Sequence, residues 1–232
     1  MKTNKSLRRG FTLVELLVVI VIIAALAGLT APMVIRQRKK ADQTEAVNNA
    51  RQIGMALMEF ENEYSTFPDD TTATAVKDAT DTALVSGTKS NDRFRQLIRA
   101  GIAQSESMFY AKAAYTKKPD GLLNTDIQAL AAGEVGYGIL MDGVKGLSAA
   151  GNPSRPIVAA PFKLAMDGTF DPDFYDSKAV ILRLDNSVTS LPIVSTTGNV
   201  KINGKTMTET GTETVWGTTT VVPTWSYPNP KK

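Results

Sequence analysis

The chain has 232 residues, 43% of them hydrophobic, which is enough for one sizeable core with an appendage, and its net charge is +3. It has no cysteine and no histidine, which excludes thiolate chemistry, disulfides, imidazole bases and zinc sites of the usual Cys/His kind. The positive charge is local. Lys2, Lys5, Arg8 and Arg9 all precede residue 10, and setting those four aside leaves 22 basic against 23 acidic groups, a balance that makes a nucleic-acid partner unlikely.

A basic leader ends at Leu7-Arg8-Arg9-Gly10, and a nearly unbroken apolar run follows from Phe11 to Ile35. Arg36, Arg38, Lys39 and Lys40 close the run. Twenty-five helical residues span about 37 Å, enough to cross a hydrocarbon core. The one charged group inside is Glu15. A carboxylate at the centre of such a helix costs about 2.5–3.5 kcal/mol on insertion scales, and less near an end. An isolated anchor gains nothing from it, so Glu15 points to a cation supplied by another molecule. Two plainer readings compete: a secretory signal peptide cut at Ala25-Leu26-Ala27, and a simple membrane anchor. The apolar run continues past the first, and neither has a use for the acid. Four Lys/Arg lie on each side of the run, so charge does not decide orientation.

Arg9-Gly10-Phe11-Thr12-Leu13-Val14-Glu15-Leu16 resembles the processing motif of type IV prepilins and type II secretion pseudopilins. The resemblance covers roughly residues 5–65. It implies cleavage between Gly10 and Phe11 by a membrane peptidase that also methylates the new Phe11 amine. It implies that Glu15 neutralises such an amine on an adjacent subunit. It also implies a single pass of the inner membrane with the leader in the cytoplasm and the head in the periplasm or outside. The implied partners are the prepilin peptidase/methyltransferase, other pilin subunits and an inner-membrane assembly platform. Pro32 matches a family feature as well; its ring opposes the Gly28 carbonyl, so Gly28 and Pro32 are expected to form a weak point where the helix bends or melts in a filament. A tolerated kink is the plainer reading.

Beyond Ile35, Val47, Ala50, Ile53, Leu57, Phe60 and Tyr64 recur at three and four residues and predict an amphipathic helix that stops before Phe67-Pro68. Residues 69–91, rich in Thr, Ala, Asp and Ser, read as a loop or weakly ordered insertion. Asp92–Ala100 reads as helix, Gln104–Ala114 as a second, and Thr125 as the cap of a short helix through Ala132. Strands are expected at Val135–Met141, Pro156–Ala160, Ala179–Leu184 and Ser187–Val194. Asn203-Gly204 signals a hairpin between Val200–Ile202 and Lys205–Met207. The last residues read as an edge strand or an exposed tail, since Pro223, Pro228 and Pro230 oppose a central strand. The expected fold is α+β: a leader over 1–10, a membrane or filament-core helix over 11–35, its amphipathic half over 36–66, and a head over 67–232 whose mostly antiparallel sheet packs on that helix.

Asp167, Asp171 and Asp173, with Asp176, crowd one segment around Gly168 and suit Ca²⁺ as a possible ligand; a solvated acidic turn is the plainer reading. The resemblance supports the idea only in that major pseudopilins carry a calcium site in the C-terminal part of the head. The basic collar reads as snorkelling anchors or as contacts to Glu59, Glu61 or Glu63 of a neighbour. Trp216, Trp225 and Tyr227 read as sheet packing or as a binding surface. No residue pattern suggests a catalyst: a nucleophile would need a Ser–Lys or Thr arrangement, and Gly136-Tyr137-Gly138 lacks the setting of a phosphate loop. The function expected is a structural subunit of a type II secretion pseudopilus or type IV pilus-like filament. The alternatives are a minor pilin acting as a binding module and a singly anchored extracytoplasmic protein.

Overall fold

The computed structural model describes residues 11–81, 86–123, 129–218 and 220–231. The leader, including Gly10, and Thr125 lie outside the described residues. The chain divides into two compact units, residues 1–39 and 40–232.

In the first unit the described residues form the start of helix α1, Leu13–Tyr64. The helix continues through Gly28 and Pro32 without interruption. Pro32 has no N–H for the Gly28 carbonyl. One turn earlier, Thr30 Oγ1 donates to Leu26 O at 3.0 Å and to Ala27 O at 3.3 Å.

The second unit holds the rest of α1 and the head. Ala46, Ala50, Ile53, Gly54, Leu57 and Phe60 form the buried face of the helix. Ala46 takes the place expected of Val47, which is half-buried. Gly54 lets the sheet approach closely, and Leu57 and Phe60 are fully buried beyond it. Each fully buried large side chain contributes about 1.5–3 kcal/mol. The helix ends at Ser65, whose φ of 67° turns the chain, and Phe67 enters the core at 0% exposure.

Residues 70–80 are not the loop expected of them. They form α2, Asp70–Thr80, and α3 follows at Ser90–Arg99. The reason lies in local capping and burial rather than in apolar content. Asp69 Oδ1 accepts from Thr71 N and Thr72 N, both at 2.8 Å, while Thr72 Oγ1 takes the Asp69 N–H at 2.8 Å. This capping box satisfies the orphan N–H groups of the first turn. Thr72 then donates to Gln96 Oε1 at 2.7 Å, and Arg93 pairs with Asp70 at 2.7 Å, tying α2 to α3.

The second helix expected at 104–114 shortens to one 3-10 turn, Glu106–Phe109. Beyond it the backbone groups go elsewhere: Asn49 of α1 donates to Ser107 O and Tyr110 O, and Gly136 N donates to Phe109 O. Residues 129–132 form turns rather than the end of a helix, with Leu130 at φ 52°.

The main sheet is antiparallel throughout. It comprises β1 (Gly138–Asp142), β2 (Pro156–Ala160), β3 (Lys178–Arg183), β4 (Val188–Pro192) and β7 (Pro223–Ser226) in the order β4-β3-β2-β1-β7. The strands lie within a few residues of their expected places. Pro223 opens β7, an edge strand, where a missing N–H is tolerated. Asn203 and Gly204, at φ 53° and 81°, turn β5 (Lys201–Ile202) into β6 (Lys205–Thr206) as their sequence predicts.

One face of the sheet meets α1. Tyr137 Oη donates to Ala46 O at 2.7 Å, and a Cβ on Gly54 would lie 3.0 Å from Leu182 Cδ1. The opposite face is covered too. A Cβ on Gly138 would meet Phe162 at 2.7 Å, and Phe162 packs with Phe170, Trp225 and Tyr227. Val200, Ile202, Met207, Val215 and Trp216 join the same core. Burial on both faces explains why Ile157–Ala160 and Ala179–Leu182 are unbroken apolar runs at 0% exposure rather than alternating ones.

Candidate functional site

The processing and assembly segment begins, among the described residues, at Phe11, which is 81% exposed. Thr12 N and Thr12 Oγ1 donate to Glu15 Oε2 at 2.9 and 2.7 Å, and Glu15 N donates to Thr12 Oγ1 at 3.2 Å. These reciprocal bonds form a second capping box, at the N-terminus of α1. The Thr-x-x-Glu spacing at 12–15 carries this signal in the sequence, where the reading of Glu15 as a purely intermolecular group overlooks it. Glu15 sits at the positive end of the helix dipole, one turn from Phe11. Both bonds to the carboxylate use Oε2, which leaves Oε1 for a further donor.

From Leu13 to Ile35 the large apolar side chains are 46–80% exposed. Among the described residues, α1 is the one helix long and apolar enough to cross a membrane. Its apolar surface is uncovered, and only lipid or other apolar helices satisfy such a surface. Arg36, Arg38 and Lys40 are exposed and Lys39 is half-buried.

The aspartates expected to gather around Gly168 do not converge. Asp167 Oδ1 accepts from Thr169 N and Oγ1, and Asp171 Oδ1 accepts from Asp173 N, each closing its own turn. The Thr169 hydroxyl and amide hold the Asp167 carboxyl below the usual range. The carboxylates that do come together are Glu106, Asp120 and Glu134, whose ligand atoms lie within 4.8 Å of one another. No local spacing marks this set, because its members come from three separate loops. Glu106 and Glu134 are 1% and 0% exposed, whereas Asp120 is exposed. Burial pushes the Glu106 carboxyl up; hydrogen bonds from Leu130 N and Gly121 N oppose this, and the neighbouring Glu134 and Asp120 add to it.

Trp216 is buried, donates Nε1–H to Met207 O at 2.6 Å and lies under the Arg155 guanidinium at 5.4 Å. Trp225 and Tyr227 meet Phe162 edge-on at 5.0 and 5.3 Å. All three aromatics therefore pack in the head.

Residues 5–31 match the family described as the prokaryotic N-terminal methylation motif. The chain is similar to type II secretion system core protein G from several bacteria. It is 38% identical over 61 residues to that of Pectobacterium carotovorum, covering 26% of this chain and 39% of the relative. It is 39% identical over 61 residues to that of Escherichia coli, covering 26% and 42%. The match to the Klebsiella pneumoniae protein is longer but weaker, 28% over 130 residues, covering 56% and 79%. In the first two the chain spans about two-fifths of the relative's length. No solved structure matches. The chain thus carries a prokaryotic N-terminal methylation motif, a long apolar helix and an antiparallel sheet, and it is similar to type II secretion system core protein G.

Proposed function

We propose that the chain is a prepilin-type structural subunit, cut after Gly10, N-methylated on Phe11 and assembled through α1 into a pseudopilus or pilus-like filament. The observation that carries this reading is Glu15, a lone acid one turn from Phe11 at the head of an uncovered apolar helix. After cleavage the Phe11 ammonium of one copy supplies the cation that Glu15 of the next copy accepts through Oε1. The interaction takes place in lipid or between apolar helices, where an ammonium and a carboxylate attract strongly. The capping box keeps the carboxylate at the helix start rather than letting it swing into the apolar run. The prepilin peptidase, an assembly platform in the inner membrane and other pilin subunits are the partners, and the subunit catalyses nothing.

Mass spectrometry of the mature N-terminus tests the processing step: N-methyl-Phe11 supports it, while a start at Gly28 or an intact Met1 refutes it. Glu15→Ala is expected to leave cleavage intact and to abolish incorporation into sedimentable filaments. Normal filaments from that variant would refute the pairing.

A further inference from the structure

At one end of the main sheet, the end of β1, the start of β2, the residue after β3 and the segment leading into β7 surround a cavity of about 180 Å³. Its apolar wall is Leu147, Ile157, Leu184 and Val221. Two charged side chains, Asp142 and Arg155, line the same space. Among the described residues they form no ion pair, either with each other or with a third group. Main chain fixes them instead. Asp142 Oδ1 accepts from Val222 N at 2.9 Å, and Oδ2 is left for another donor. Arg155 Nε donates to Val215 O at 3.4 Å and Nη2 to Trp216 O at 3.3 Å, both long bonds, and the guanidinium lies over the Trp216 ring at 5.4 Å. These contacts set the direction of the guanidinium and bring it no counter-charge. Both residues are half-buried, where a charge is less screened than at the open surface.

A cation and an anion held apart across a small space with a hydrocarbon wall are the complement of a zwitterion that carries a hydrocarbon side chain. A phosphate would face Asp142 and leave the apolar wall unused, and a plain fatty acid would leave Asp142 without a donor. An apolar cavity of about 150 Å³ holds a benzene molecule, so this one has room for a ligand the size of valine or leucine. We propose that the cavity binds a free aliphatic α-amino acid. Arg155 takes the carboxylate, Asp142 takes the ammonium, and Leu147, Ile157, Leu184 and Val221 receive the side chain. Both charges are already positioned by main chain, so little ordering is needed on binding. A polypeptide C-terminus carries the carboxylate without an adjacent ammonium, so Asp142 selects against it. The cavity lies within the second unit, beside the 146–150 segment that Ala149 N ties to Glu61 of α1 at 2.7 Å, and it shares no residue with the processing segment.

Thermal unfolding of the full chain in detergent micelles at neutral pH, titrated with leucine, valine, leucinamide and N-acetyl-leucine, tests the assignment. Leucine or valine is expected to raise Tm with half-effect below about 1 mM. Leucinamide and N-acetyl-leucine each lack one charge and are expected to need at least about tenfold more. Asp142→Asn keeps an acceptor for Val222 N and is expected to weaken leucine about tenfold. Ala150 is exposed and lines the cavity, so Ala150→Phe fills the space and is expected to abolish the leucine shift while the ligand-free Tm stays as in the wild type. The proposal is overturned if neither amino acid shifts Tm at about 10 mM, tenfold above the expected half-effect. It is overturned as well if Ala150→Phe responds like the wild type, which would place binding elsewhere, or if N-acetyl-leucine or leucinamide matches leucine, which would remove the zwitterion. Cleavage, methylation and assembly play no part in this readout, so its failure is distinguishable from failure of the filament reading.

Discussion

Gly54 sets how closely α1 approaches the sheet, and Gly54→Ala tests that contact. A Cβ at this position would collide with Asn186 Oδ1 and lie 3.0 Å from Leu182 Cδ1. Alanine gains about 1 kcal/mol of helix propensity over glycine. Overpacking a filled contact costs about 1–3 kcal/mol. Leu182 is at 0% exposure in the centre of the sheet and has little room to yield, so the upper part of that range applies and a net loss of about 1–2 kcal/mol is expected. For a chain of this size that is a fall in Tm of about 2–8 °C. Asn186 is the more yielding neighbour. It sits in the β3–β4 turn at φ 61°, a backbone glycine adopts freely, and its Oδ1 is buried without a hydrogen-bond partner. Asn186→Gly therefore removes the collision at little cost. Combined with Gly54→Ala it is expected to relieve the Asn186 share of the loss while the Leu182 contact remains, a coupling of about 1 kcal/mol in a double-mutant cycle. Unfolding of the four proteins, followed by tryptophan fluorescence in detergent, measures it. The argument is wrong if Gly54→Ala alone is as stable as the wild type, or if the two substitutions add without coupling.

Two further outcomes follow from the head. Asp69→Ala removes the cap of α2 and the 3.1 Å bond to Gly146 N, so it is expected to cost about 2–3 kcal/mol and to expose Phe67 to protease before the sheet unfolds; unchanged stability would show that tertiary packing alone holds α2. The pH profile of Tm in EDTA should have two limbs. Glu106 has a raised carboxyl, so the fold gains stability as pH falls through that raised value toward the ordinary 4.5. The bond from Arg93 lowers Asp70, whose contribution is present above the ordinary 3.8 and is lost as pH falls through its depressed value. A monotonic loss from neutrality downward would contradict the Glu106 assignment.

Where the expectations missed, they missed in one way. The 104–114 segment has helix-compatible residues and forms only one 3-10 turn, with Asn49, 58 residues before Ser107, taking carbonyls that a longer helix would use. The 70–80 segment looks polar and is a helix because Thr72 and Asp69 find partners on α3 and near β1. For Trp216, Trp225 and Tyr227, read as sheet packing or as a binding surface, packing holds: Trp216 is buried, and Trp225 and Tyr227 are half-buried against the core.

What residue order determined by itself is whatever depends on near neighbours: the methylation motif, the apolar span of α1, its 3.6-residue stripe, the Asn203-Gly204 hairpin and the places of the strands. Periodicity and capping act within a turn or two, so they are written locally. The tertiary structure alone decided the covering of the sheet's second face, the closing of Asp167 and Asp171 onto a turn each, and the meeting of Glu106, Asp120 and Glu134. Those results depend on which distant groups compete for the same donor or exclude the same water, and no local pattern carries that information.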